Sequence, residues 1–137
     1  MAIDPPPVEV LDRTTPFIAY HTGAGKGKIF LCQGFFNRTI AERRAILAHE
    51  LCHAWRYMKN PKLGRRYMLS RSCERIEEYI ADHVAALLEN SSLLALQSRL
   101  RYRHTVAPFQ KYVEHHAKNV AKALQRAGWT KIIPRHA

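Results

Sequence analysis

His49-Glu50-Leu51-Cys52-His53 brings together residue types that can bind a metal and put it to work. On a helix, positions four apart stand one turn above each other on the same face, so both imidazoles can reach one ion. Glu50 then lies beside the water that such an ion activates, where a general base is needed. A catalytic zinc requires a third protein ligand and an open position for that water. The run Glu78-Tyr79-Ile80-Ala81-Asp82 supplies carboxylates for the purpose. Glu74, Glu78 and Asp82 recur every four residues and share one face. A row of acids on a helix is ordinarily a solvated face. Here Glu78 and Asp82 border the apolar stretch Val84 to Leu88, where carboxylates are costly unless something cationic neutralises them. A metal ion does that, with Glu78 as ligand and Asp82 accepting a hydrogen bond from a ligand imidazole.

The elements that must position these residues are legible on independent grounds. Thr39-Ile40-Ala41-Glu42 fits a capping box, in which Thr and Glu satisfy each other's orphan backbone donors. Ile40 to Met58 holds neither Gly nor Pro, and good helix formers dominate it. Asn60-Pro61 ends that helix. A second Gly- and Pro-free segment runs from about Ser72 to Asn90, and its Ala81, Ala85 and Ala86 let another helix approach closely. Between the two, Pro61 and Gly64 predict a loop that lets the second helix fold back on the first.

HExxH followed by ExxAD resembles the gluzincin group of zinc metallopeptidases, over roughly residues 40 to 90 and with both motifs matching residue for residue. The resemblance implies a zincin-like catalytic domain, with His49, His53 and Glu78 on Zn2+, Glu50 as general base and Asp82 in support. Two local likenesses differ over the third ligand. Ile29 to Phe36, with Arg43, Arg44 and Leu47, resembles the lead-in of deuterolysin-type peptidases, but their GTxxxxYG run is missing. That parallel makes Asp82 the alternative third ligand. His-Glu-Leu-Cys-His-Ala is similar to SprT-type proteases, which act on proteins bound to DNA and use a third His, for which His83 is the nearest candidate. Zinc peptide hydrolysis also needs a donor for the oxyanion opposite the metal. Tyr57, Tyr67, Tyr79, His83 and His104 are candidates, and the sequence does not choose among them. Substrates of such folds pair with exposed strand edges, and Lys28 to Gln33 is expected to form the rim of the cleft.

Composition sets the remaining bounds. At 137 residues the chain makes one domain: a lead and small sheet to residue 38, active-site helices over 39–90, and a basic helical part over 91–137. The expected class is α+β, mainly helical and zincin-like. Cys32, Cys52 and Cys73 are an odd, scattered set that argues against a disulfide framework. Cys52 reads as a small buried thiol, not a ligand. The start is acidic and proline-rich, unlike a signal peptide, and no segment approaches the roughly 20 apolar residues of a membrane span. A cytoplasmic protein without membrane contact is expected, unless a dedicated export route carries it.

The net charge is +11, and from Ser91 onward nine basic residues face the single acid Glu114. Such a field favours anionic partners beside the protein or peptide substrate: nucleic acid, or an acidic protein inhibitor. The alternatives to a peptidase are therefore a basic nucleic-acid-associated protein and a catalytically silent metal-binding interaction domain. Val8 to Leu11 and Pro16 to Tyr20 read as short strands, and His21 to Gly27 as a hairpin loop lacking the spacing of a phosphate loop. Leu93 to Tyr102 reads as a helix. Pro108 opens another, with Phe109, Tyr112, Val113, His116, Val120 and Leu124 as its apolar face and Gly128 as its end.

Overall fold

The computed structural model describes residues 4–11, 19–22, 27–100 and 109–135. Three short strands, β1 (Val8–Val10), β2 (Ala19–Thr22) and β3 (Lys28–Leu31), form one sheet in the order β1-β3-β2. β3 runs parallel to β1 and antiparallel to β2. Six helices follow: α1 (Gln33–Phe36), α2 (Ile40–Lys59), α3 (Lys62–Leu69), α4 (Arg71–Leu88), α5 (Leu93–Leu100) and α6 (Gln110–Ala127). A 3-10 turn over Trp129–Ile132 comes after them. The domain is thus mainly helical with a small N-terminal sheet, the α+β class expected.

α2 is the axis of the molecule. It begins where the capping box predicts: Thr39 Oγ1 accepts from the Glu42 amide at 3.2 Å, and the Glu42 carboxylate accepts from the Thr39 amide at 3.3 Å. Its C-cap is Asn60. Around it pack β2, β3, α3, α4, α5, α6 and the 3-10 turn. Ala45 and Ala48 on α2, and Ala81 and Ala85 on α4, are fully buried. These small side chains allow the two helices to approach, and the polar residues between them to meet. α4 starts on Ser70, whose hydroxyl accepts from the Cys73 amide.

Two sets of contacts fasten α2 to the rest. Arg56 forks onto the Glu77 carboxylate of α4 at 2.7 and 2.9 Å, with both residues buried. Arg44 forks onto Glu89 at 2.9 and 2.8 Å and also donates to the Pro134 carbonyl. Trp129, fully buried, meets Trp55 edge-on with centroids 5.0 Å apart. α6 ends at Gly128, whose φ of 77° lies in the left-handed region that glycine adopts without strain.

The sequence expectations need four corrections. Residues 62–69 are the helix α3, not a loop. Pro61 stands at its N-cap with φ −59°, where proline removes no helical hydrogen bond. Gly64 faces the Tyr57 ring, which a Cβ would approach to 4.0 Å. The strand beginning at Lys28 stops at Leu31, and Gln33 opens α1. β3 is also the central strand, flanked on both sides, so it offers no rim; the sheet edges are β1 and β2. On α6, Val113, Val120 and Leu124 are buried with Ala117 and Ala121, while Phe109 and Tyr112 are exposed. All three cysteines are free. No helix among the described residues is long and apolar enough to cross a membrane.

Candidate metal centre

His49 and His53 stand one turn apart on the face of α2 that meets α4, and Glu78 and Asp82 one turn apart on the opposing face of α4. Both histidines are buried and Asp82 is fully so; the Glu78 side chain is 12% exposed. Glu78 Oε2 lies 2.8 Å from His49 Nε2, Glu78 Oε1 3.1 Å from His53 Nε2, and the two Nε2 atoms 3.1 Å apart. Ligands about 2.0–2.1 Å from a tetrahedral ion sit roughly 3.3 Å from each other. The three groups fit one ion.

The hydrogen bonding within the cluster leads to the same place. His49 Nδ1 lies 3.0 Å from Asp82 Oδ1, and Asp82 Oδ2 accepts from Gln97 Nε2 at 3.1 Å. Asp82 therefore accepts on both oxygens, so the His49 proton belongs on Nδ1 and the Nε2 lone pair points at Glu78. Two acceptors at 2.8 Å repel unless a cation lies between them or the imidazole takes a second proton. Burial alone would raise the Glu78 carboxyl, but the facing His53 and His49 rings outweigh it and hold the group well below the usual carboxylate range. The pocket is built for positive charge.

Glu50 is buried on the same helix, beside both histidines and Glu78. Its burial holds the carboxyl above the usual carboxylate range, an effect that the imidazoles of His53 and His49 only partly offset. Cys52 is fully buried in the core, where desolvation pushes its thiol up and keeps it protonated. That is the inert packing role expected for it.

Aromatic rings enclose the His53 side. Tyr57 stacks on His53 at 5.5 Å, and His21 from β2 meets Tyr57 in a tilted contact at 5.6 Å. Tyr67 reaches in from α3 and donates to Glu78 Oε1 at 2.5 Å. Of the oxyanion candidates, Tyr57 and Tyr67 thus border the cluster. Tyr79 and His83 face elsewhere. The Tyr79 hydroxyl donates to Gln110 at the start of α6, and His83 packs edge-on against Tyr79 at 4.7 Å. One helical residue past Glu78 and Asp82 respectively, each is rotated about 100° off the metal-facing stripe. His104 lies outside the described residues, as do residues 101–103 of the Arg99-to-His104 basic run.

Residues 2–128 match peptidase family M48. The chain belongs to that family. As an M48 peptidase it is a metal-dependent hydrolase of peptide bonds, and His49, His53 and Glu78 form a group able to hold the metal. No curated protein and no solved structure gives a match.

Two side chains of this M48 site have partners that the sequence reading did not assign. Gln97 is 4% exposed and anchors Asp82 from α5. A single amide among Leu93, Leu94, Leu96 and Leu100 was the available signal, since a polar group in an apolar stripe has to find a buried partner. Tyr67 was visible only as one of several hydroxyls. Its partner follows from α3, which the sequence did not disclose.

Proposed function

We propose that this M48 peptidase is a zinc-dependent endopeptidase of the gluzincin kind, with His49, His53 and Glu78 as ligands and Glu50 as general base. The reading is carried by one observation: the His49 and His53 Nε2 atoms and the two oxygens of the Glu78 carboxylate converge, with contacts of 2.8–3.1 Å. The hydrogen bond between His49 Nδ1 and Asp82 supports Glu78 over Asp82 as third ligand. The packing of His83 on Tyr79 speaks against a third histidine.

When bound, zinc would lower the pKa of its water to about 7 and polarise the substrate carbonyl. Glu50 takes the proton of that water onto a carboxylate oxygen and passes it to the departing amine nitrogen. Asp82, itself held by Gln97, keeps the His49 proton on Nδ1 and its Nε2 lone pair directed inward. The peptide lies along β2, the sheet edge whose His21 touches Tyr57, and gains main-chain hydrogen bonds there.

Glu50→Gln tests this directly. It should retain about one zinc per chain and lose about two to four orders of magnitude in peptide hydrolysis. His53→Ala should lose the metal as well. Full activity in Glu50→Gln with zinc still bound would sink the mechanism.

The charge distribution supports an anionic partner in addition. Lys118, Lys122 and Arg126 line the exposed side of α6, and among the described residues none has a carboxylate within ion-pair distance. Binding of nucleic acid through this face should weaken steeply with salt, because phosphate contacts release counterions. An acidic protein inhibitor would instead show one-to-one binding that abolishes hydrolysis.

A further inference from the structure

Glu78 has two oxygens, and the structure treats them differently. Oε2 faces His49 Nε2 at 2.8 Å. Oε1 receives the Tyr67 hydroxyl at 2.5 Å, a short charge-assisted hydrogen bond, and lies 3.1 Å from His53 Nε2. The Tyr67 ring also meets the His53 ring edge-on at 6.0 Å, so one side chain touches two of the three groups in the cluster.

The asymmetry matters for coordination. A carboxylate can grip a metal through one oxygen or both. In a site that already holds two histidines and a water, a two-oxygen grip raises the coordination number from four to five and crowds the position that water has to occupy. A donor fixed on one oxygen engages its lone pairs and sets the plane of the carboxylate, which favours the single-oxygen mode. Tyr67 is well anchored for that task. α3 is an eight-residue helix bounded by Pro61 and by Ser70, which caps α4, so Tyr67 and Glu78 are carried by two elements joined at one residue. Gln97 does the equivalent for the neighbouring carboxylate, holding Asp82 Oδ2 and leaving Oδ1 to His49.

We propose that Tyr67 is a positioning residue that restrains Glu78 to one-oxygen ligation through Oε2 and so keeps a coordination position open. This inference rests on the metal-site assignment above and adds to it a residue outside both motifs.

Cobalt(II) in place of the native metal provides the test, because four-coordinate cobalt absorbs visible light much more strongly than five- or six-coordinate cobalt. Tyr67→Phe removes only the hydroxyl and keeps the ring against His53. The unaltered protein should show the strong four-coordinate band, and Tyr67→Phe should lose at least half of its intensity as Glu78 closes with its second oxygen. Hydrolysis should fall through kcat, with KM little changed. A cobalt spectrum of Tyr67→Phe superimposable on that of the unaltered protein overturns the proposal while leaving the ligand assignment intact. Failure of the unaltered protein to bind cobalt overturns both together.

Discussion

Glu77 and Glu78 are neighbours in sequence, both point from α4 into the same helical packing, and they have opposite relations to their surroundings. Glu77 receives both arms of the Arg56 fork and has nothing further to find. Glu78 meets two imidazole nitrogens and a phenol, and its contact with His49 Nε2 sets acceptor against acceptor. The first site is electrically closed, the second open. A protein that needed only to join α2 to α4 could have used two closed pairs. The difference between adjacent residues separates the scaffold from the chemistry.

Breaking the closed pair should have the largest effect. Arg56→Ala leaves Glu77 buried without its partner and should destabilise the fold by about 3–5 kcal/mol in denaturant unfolding. The double variant Arg56→Met/Glu77→Leu should recover most of that loss, since apolar residues of similar volume replace buried ion pairs without penalty.

The open pair should matter more to the metal than to the fold. In metal-free protein, Glu78→Gln should lower thermal stability only modestly, because the attraction of the carboxylate to the His53 and His49 rings is lost while the new amide can donate to His49 Nε2. Zinc at about a thousand times its Kd should stabilise the unaltered protein by about 4 kcal/mol and barely affect Glu78→Gln. Equal stabilisation of both by zinc would place the ion elsewhere.

Asp82→Asn should have the smallest effect and sharpen the contrast. It preserves shape and weakens the hydrogen bond to His49 Nδ1, so zinc affinity measured against a chelator should fall about 10–100-fold with the fold retained.

The parts legible in sequence were those written in local signals. Thr39 and Glu42 fix the start of α2 through a box of four residues, and the histidine and carboxylate spacings follow from one helical turn. The parts that escaped depend on partners distant in the chain. Pro61 and Gly64 are breakers by propensity, yet α3 forms because proline suits a helix start and Tyr67 gains a buried carboxylate partner. The alternation of Lys28 to Leu31 says that a strand is present, but not that neighbours flank it on both sides. Tyr79 is one of the oxyanion candidates that the sequence does not rank, and one residue's rotation from Glu78 turns it toward Gln110 on α6; His83, beside the acids, is expected to face another way and packs on Tyr79.

The clasp formed by Trp129 on Trp55, and by Arg44 on Glu89 and Pro134, also bears on the timing of activity. α2 carries both histidines and Glu50, yet its surroundings are completed by residues some seventy positions downstream of the HExxH run and more. While the chain is still emerging from the ribosome, this helix lacks α6 and the closing turn that bury its flank. A nascent peptidase arranged in this way acquires its ordered centre only after Trp129 and Pro134 have left the ribosome, well after the HExxH run itself.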